Sequence, residues 1–382
     1  MKALFALLAT LAVGRAASPD VLEPTWQAKA GPWGQLTVHT IYLEAPSVLL
    51  ATIPKPNSVT RWVFEQTTAA SVRTNLTKAG VPAAILERLF APGRHLVGGN
   101  VVSLYPDLDD LLALAPEVRN TLYGELAKVA TNEFYRDPVF IIGGDLDDWL
   151  LDTELNSAQK SAFRKLVWRR GDIMVFSDIP ALLALAKGEK EVQEVFRAMT
   201  RVRSLLVELA IPLKGDRQEF LDYWSAGQTD APRLAFVRAI SLRKNPQSVD
   251  ITHFLPTLMR QRAYTFPDIQ LGLKGRFPDC HWTSLNFFNQ IPQDYYLDTR
   301  LAANQLTQNY NAVEAPYKYG DVLCLLEGDE GLHTCVYIAD DIILTKNGDG
   351  ILAPWALMQI KDVTAIYSRV ATARIQGYRL KR

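Results

Sequence analysis

Residues 319–348 read YGDVLCLLEGDEGLHTCVYIADDIILTKNG. Aliphatic and β-branched residues fall there in three short runs, Asp321 to Leu326, His333 to Ile338 and Ile342 to Thr345. A turn around Gly328 to Gly331 separates the first two, and an Asp340-Asp341 reversal separates the second pair. Runs this close in sequence can pair only antiparallel, because a parallel crossover needs a dozen or more residues. A fourth run, Val363 to Ser368, extends the meander. Upstream, FPDCHWTSLNFF at 277–288 sets Pro278 and Asp279 before Leu285, Phe287 and Phe288, which predicts a helix starting at or just after Cys280. A helix followed by an antiparallel meander is an α+β arrangement, with the helix packed on the sheet.

Working outward, KNPQS at Lys244 to Ser248 is a polar, proline-containing break. It sets a C-terminal domain at 255–370 apart from a mainly helical α+β domain at 25–247. In the latter, Leu36 to Leu43 and Val48 to Ile53 read as strands, as do Val139 to Ile142 and Ile173 to Phe176. Helices are expected at Pro82 to Phe90, from Pro116 to about Phe134, at Ala158 to Arg170, and along Glu189 to Ala210, where apolar residues repeat at three and four up to Pro212. GRHLVGGN at Gly93 to Asn100 lacks the lysine of a phosphate loop and reads as a turn. The clustered carboxylates of Asp145 to Glu154 read as a solvated helix start.

Lys2, the apolar run Ala3 to Val13 and the small residues near Gly14 and Ala16 outline a signal peptide at 1–17, so the expected location is secreted or periplasmic. That run is too short to span a bilayer, and no later segment is long and charge-free enough, so no transmembrane segment is expected in the mature chain. The 41 basic and 41 acidic residues cancel, which argues against nucleic acid as a partner held by general phosphate neutralisation. A basic tail at 371–382, with Arg374, Arg379, Lys381 and Arg382, is expected as a solvated terminus. Three cysteines exclude a disulfide framework, and no histidine pair has metal-ligand spacing, so neither a metal nor a cofactor is expected.

Cys280 at a helix start should ionise more readily than a free thiol, whose pKa is about 8.5. Strand alternation puts His333, Cys335 and Tyr337 on one face and Thr334, Val336 and Ile338 on the other. The next strand brings Thr345 and Asn347 to one face. A thiol, a histidine and a polar group that orients the imidazole are the parts needed for nucleophilic acyl transfer. His281 follows Cys280 by one residue, about 100° around the helix, and is expected on the cleft wall, on the oxyanion side or exposed, rather than facing the thiol. Cys324 and Cys335 fall on paired strands, nearly opposite, and two readings stay open for them: core thiols or a local disulfide.

The order Asp279-Cys280 at a helix start, Gly320-Asp321-Val322 opening a strand, and His333 opening the next with Tyr337 downstream resembles the NlpC/P60 family of papain-like cysteine peptidases. The resemblance covers about Tyr264 to Tyr367. It implies a papain-like fold for the C-terminal domain and activity on the stem peptides of peptidoglycan. It matches Cys280 to the nucleophile and His333 to the general base. The family has Ser-Gly after the cysteine where this chain has His281-Trp282. Its third residue is often a second histidine; here Asn347 is the expected orienter, with Thr345 as the fallback. Tyr264, His281 and Trp282 are the expected substrate contacts. A CHAP-like amidase or acyltransferase with the same triad is the alternative, as is a non-catalytic envelope-binding protein that keeps the fold. No motif assigns a task to the N-terminal domain, for which docking to an envelope protein is one expectation.

Overall fold

The computed structural model describes residues 26–52, 54–143, 145–212, 217–225, 231–242, 248–272, 277–367 and 373–381. The expected signal peptide and the Lys244 to Gln247 break lie outside them. The chain is α+β, built of short helices and antiparallel sheets. No helix among the described residues is long and apolar enough to cross a membrane.

The largest sheet has six antiparallel strands in the order Tyr310–Val313, Arg374–Leu380, Val322–Glu327, Glu330–Ala339, Ile342–Lys346, Trp355–Gln359. Its centre follows the alternation in the sequence. Cys335 and Tyr337 face one core with Leu323, Ile343 and Met358, while Val336 and Ile338 face another with Leu344 and Trp355. Asp340 takes the left-handed φ of 53° that the tight reversal needs, a conformation aspartate tolerates.

The flanks of the sheet differ from expectation. Val363 to Tyr367 is not the fourth strand, and Ser368 lies outside the described residues: Ile360–Tyr367 is a helix, and Trp355–Gln359 pairs with Ile342–Lys346 instead. The reason is periodicity. Val363, Ile366 and Tyr367 recur at three and four, whereas WALMQ is buried on both faces and so shows no alternation. The basic tail is not a solvated terminus either. Arg374–Leu380 is an interior strand, pairing with Tyr310–Val313 on one side and Val322–Glu327 on the other.

Arg379 closes that strand with two bonds to Asp321, Nε to Oδ1 at 2.8 Å and Nη2 to Oδ2 at 2.6 Å. Asp321 is buried, and its Oδ2 also accepts the Lys318 N–H. Arg379→Ala should therefore destabilise the fold by about 2 kcal/mol, below the full cost of orphaning a buried charge because the arginine is itself partly exposed. Urea denaturation of the variant checks this; an unchanged midpoint would show that solvent replaces the guanidinium without cost.

The expected helix Glu189 to Ala210 is two elements. Glu189–Met199 is helical, and Val202–Ala210 is a strand that pairs antiparallel with Gln35–Leu43 over its whole length, from Gln35↔Ala210 to Leu43↔Val202. Everything between these strands folds around its own core, which includes Trp62, Leu89, Tyr123, Phe163, Phe176 and Leu182. There, the strand expected at Val48 to Ile53 is replaced at its start by the helical turn Ser47–Leu50, and Ile53 lies outside the described residues. The glycine-rich turn contains the strand His95–Gly98, and the expected helix Ala158 to Arg170 ends at Leu166 before the strand Trp168–Arg170.

The cores do not divide at the Lys244 break. Leu36, Val38, Leu205, Val207 and Leu209 share one cluster with Phe254, Trp282, Ile342 and Trp355. Polar bonds cross the same contact: Ser204 Oγ donates to the Leu357 carbonyl, Tyr223 OH to that of Ile338, and Arg203 pairs with Asp362. The paired N-terminal strands thus belong to the body that carries the candidate site, and the separate core is an excursion from it.

Candidate active site

The Cys280 helix starts where the sequence places its stop signals. Asp279 is the N-cap, with Oδ1 accepting the Trp282 N–H at 2.7 Å and its carbonyl accepting the Thr283 N–H. Trp282 and Leu285 bury the apolar face in the second core, and Trp355 Nε1 donates to Thr283 Oγ1 at 3.0 Å, fixing the helix to the sheet. Cys280 is the first helical residue and is partly exposed. Burial works against ionisation of its thiol. The neighbouring His281 and His333 imidazoles outweigh that and hold it well below the ordinary thiol pKa. The helix is only Cys280–Leu285, so the imidazoles rather than a helix dipole account for the shift.

His333 is fully buried on the strand Glu330–Ala339. Its Nε2 lies 2.7 Å from Thr345 Oγ1, and Tyr367 stacks on its other surface, ring centres 4.2 Å apart and planes 17° from parallel. Thr345 Oγ1 donates to Asn347 Oδ1 at 3.2 Å, while Asn347 Nδ2 points at the Met358 sulfur. This chain of bonds fixes the tautomer. Because the threonine proton goes to Asn347, its oxygen is left to accept, so Nε2 of His333 carries the hydrogen. Nδ1 makes no aligned hydrogen bond and is left with a lone pair for the thiol. Long or loose contacts between base and nucleophile are usual in an unliganded site.

Thr345, not Asn347, is therefore the residue on the imidazole. Strand pairing explains the correction. Thr345 follows Leu344, which is opposite Val336, so it comes alongside Cys335 and diagonally across from His333 on the same face. Asn347 lies past the end of the strand at Lys346 and reaches the histidine only through the threonine.

His281 is also placed differently from expectation. Its Nδ1 is 3.2 Å from Thr334 Oγ1, and its imidazole hydrogen-bonds the Cys280 thiol, a bond that raises its own pKa. The 100° offset along the helix fixes only the direction of the Cα–Cβ bond, and the ring reaches back across the first turn.

Two expected substrate contacts are structural. Trp282 is 2% exposed, donates from Nε1 to Asp294 and packs against Trp355. Tyr264 spends its hydroxyl on the Leu205 carbonyl at 2.8 Å and its N–H on that of Trp355, so it ties the paired N-terminal strands to the sheet.

Cys324 and Cys335 are free thiols. Leu323 is opposite Cys335 and Cys324 opposite Thr334, so the two sulfurs leave opposite faces of the sheet and cannot bridge. Burial raises both, Cys324 to about 11 and Cys335 further. Cys280 alone is activated.

No known family model, curated protein or solved structure matches the chain. Whatever the site does must be read from its own geometry.

Lys346 is the residue the sequence reading missed. It is fully buried, its Nζ donates to the Gly348 and Gly350 carbonyls, and it sits 5.7 Å from the Trp355 ring centre. Burial pushes its pKa down to about 8, against the pull of Asp279, Asp349 and Cys280. The signal was available: Ile342, Leu344 and Lys346 share strand parity, so an inward lysine follows once the first two are placed in the core.

Behind Tyr367 a cleft of about 400 Å³ opens between the separate N-terminal core and the sheet. Asn347, Met358 and Tyr367 form one wall, and Val139, Phe140 and Met199 belong to the other.

Proposed function

We propose that the protein is a cysteine hydrolase that cleaves an amide bond. The observation that carries this is the state of His333: one nitrogen pinned by Thr345, the other free beside the only thiol whose ionisation the surroundings favour. Nδ1 of His333 takes the Cys280 proton, and the thiolate forms a bond to the carbonyl carbon as the C=O π pair moves to oxygen. The Cys280 N–H, in the first turn of its helix where no intrahelical acceptor exists, donates to that oxyanion. The pair returns, the C–N bond breaks, and the amine leaves with the proton from Nδ1. Water then adds to the thioester, giving its proton to Nδ1; collapse releases the acid and the thiol is restored.

The order of these residues and the helix-on-sheet placement support a papain-like, NlpC/P60-like domain. The substrate, a peptide bond in peptidoglycan stems, and a secreted or periplasmic location rest on that resemblance and on the leader-like first residues. The cleft behind Tyr367 supports a substrate-positioning task for the separate N-terminal core. Purified cell wall incubated with the protein should yield stem peptides with new amino termini, detected by mass. Release of whole stem peptides, with the new carboxylate left on the sugar, would favour the amidase reading instead, and no new amine from protein with a reactive Cys280 would overturn the substrate. Within that assay Thr345→Val should slow turnover about tenfold by freeing the imidazole to rotate, and Asn347→Ala less, since it acts one bond further away. Equal losses in the two variants would refute that order.

A further inference from the structure

The mechanism above uses one imidazole and leaves the second without a task. His281 is the second helical residue, immediately after the nucleophile, and is partly buried. Its Nδ1 is held by Thr334 Oγ1, and Thr334 is 2% exposed on the His333 strand. Two successive strand residues therefore serve the thiol from opposite faces: His333 approaches it directly, and Thr334 holds the ring that approaches it from the helix. With Nδ1 engaged by Thr334, Nε2 is the nitrogen left for the sulfur. We infer that His281 is a second catalytic residue, whose Nε2–H donates to the Cys280 sulfur at rest and to the carbonyl oxygen once that oxygen becomes an oxyanion.

The inference rests on the hydrolase reading and refines it. His333 remains the group that moves a proton; His281 keeps its own throughout, so the proton balance of the reaction is unchanged. A donor that serves the thiolate first and the oxyanion second has its bond strengthened where negative charge grows, which is what lowers a barrier. Other groups face the same pocket of charge. Asp279 on the helix disfavours the thiolate, and Lys346 on the neighbouring strand attracts it. Cys324, Cys335 and Tyr367 have their ionisation suppressed by burial and by the Cys280 charge. The His281 and His333 imidazoles are the groups that favour its ionisation most.

The test is the rate of Cys280 alkylation by iodoacetamide from pH 4.5 to 9, read by intact mass, in the wild-type chain and in His281→Gln, His333→Ala and Thr334→Val. At pH 5.5 His281→Gln should lose about fivefold, and at pH 9, where the thiol ionises with or without a donor, it should match the wild type. Thr334→Val, which leaves both imidazoles in place and only unpins one, should lose about twofold at pH 5.5. A His281→Gln profile that overlays the wild type would overturn the inference while leaving the hydrolase reading intact. Should that variant misfold by circular dichroism, an unshifted Thr334→Val profile would overturn it instead. A wild-type rate at pH 5.5 no higher than that of a free thiol would sink the hydrolase reading itself, a distinct result.

Discussion

At pH 5.5 iodoacetamide should modify Cys280 faster than it modifies N-acetylcysteine, by about tenfold or more. A free thiol of pKa about 8.5 is about one-thousandth ionised at that pH, whereas a thiol held well below its ordinary value keeps a larger share of thiolate there. Part of that gain in thiolate is offset, because a thiolate of lower basicity is a weaker nucleophile. The direction of the pH dependence follows from the sign of the shift. A depressed pKa keeps the reactive form present as pH falls through the range where free thiols lose it, and reactivity disappears only below the depressed value. His333→Ala should remove about tenfold at pH 5.5, and Cys280→Ala should leave no labelling at that pH, because Cys324 and Cys335 are buried and their ionisation is suppressed. Labelling of Cys324 or Cys335 in preference to Cys280 would refute the activated site.

The expected positions of Cys280 and His333 came from signals that are local and physically distinct. Proline and aspartate stop a chain segment, so the Cys280 helix could be placed by its cap. Strict alternation marks a sheet with different environments on its two faces, which placed His333, Cys335 and Tyr337 together. The third residue was harder. The choice of Asn347 considered the chemistry of the side chain, while the geometry turned on register, and the pairing Val336↔Leu344 brings Thr345 to the imidazole.

Elements buried on both sides were hidden for the opposite reason. Trp355–Gln359 carries no polar face to betray its period. In Val202–Ala210, Leu205, Val207 and Leu209 do alternate into the core, but Val202, Leu205, Leu206 and Leu209 also recur at three and four, and the preceding helix lent its phase to them. That misreading concealed the pairing of Val202–Ala210 with Gln35–Leu43. Because the pairing joins segments far apart in sequence, the separate core between them could not be seen as an excursion until both strands were identified. The tail failed on charge: Arg374 and Arg379 look solvated in one dimension, yet Arg379 neutralises a buried Asp321.

Gly320→Ala should cost about 4 kcal/mol of stability and take the activated thiol with it. Gly320 has φ of +87°, a left-handed conformation that costs any residue with a Cβ about 1 kcal/mol or more. The larger part is steric. An added Cβ would overlap Phe288 Cζ and Cε2, so the ring must move. That ring packs on Phe287 and Tyr319, with centres 4.8 and 6.1 Å away, and forced repacking of this kind costs about 1–3 kcal/mol. The backbone cannot retreat instead. The Gly320 N–H donates to the Tyr337 carbonyl and the Asp321 carbonyl accepts the Tyr337 N–H, both at 2.9 Å, so the turn is locked to the histidine strand. Phe288 follows the Cys280 helix by a few residues, and displacing it disturbs the helix start against His333. The glycine-aspartate pair that sequence resemblance singled out thus has two separate physical duties: Gly320 lets the phenylalanine close over the turn, and Asp321 anchors Arg379. Adding Phe288→Ala to Gly320→Ala should recover the steric part while leaving the φ penalty. Thermal denaturation of the single and double variants checks both, and a Gly320→Ala protein that melts with the wild type would show that the turn relaxes freely.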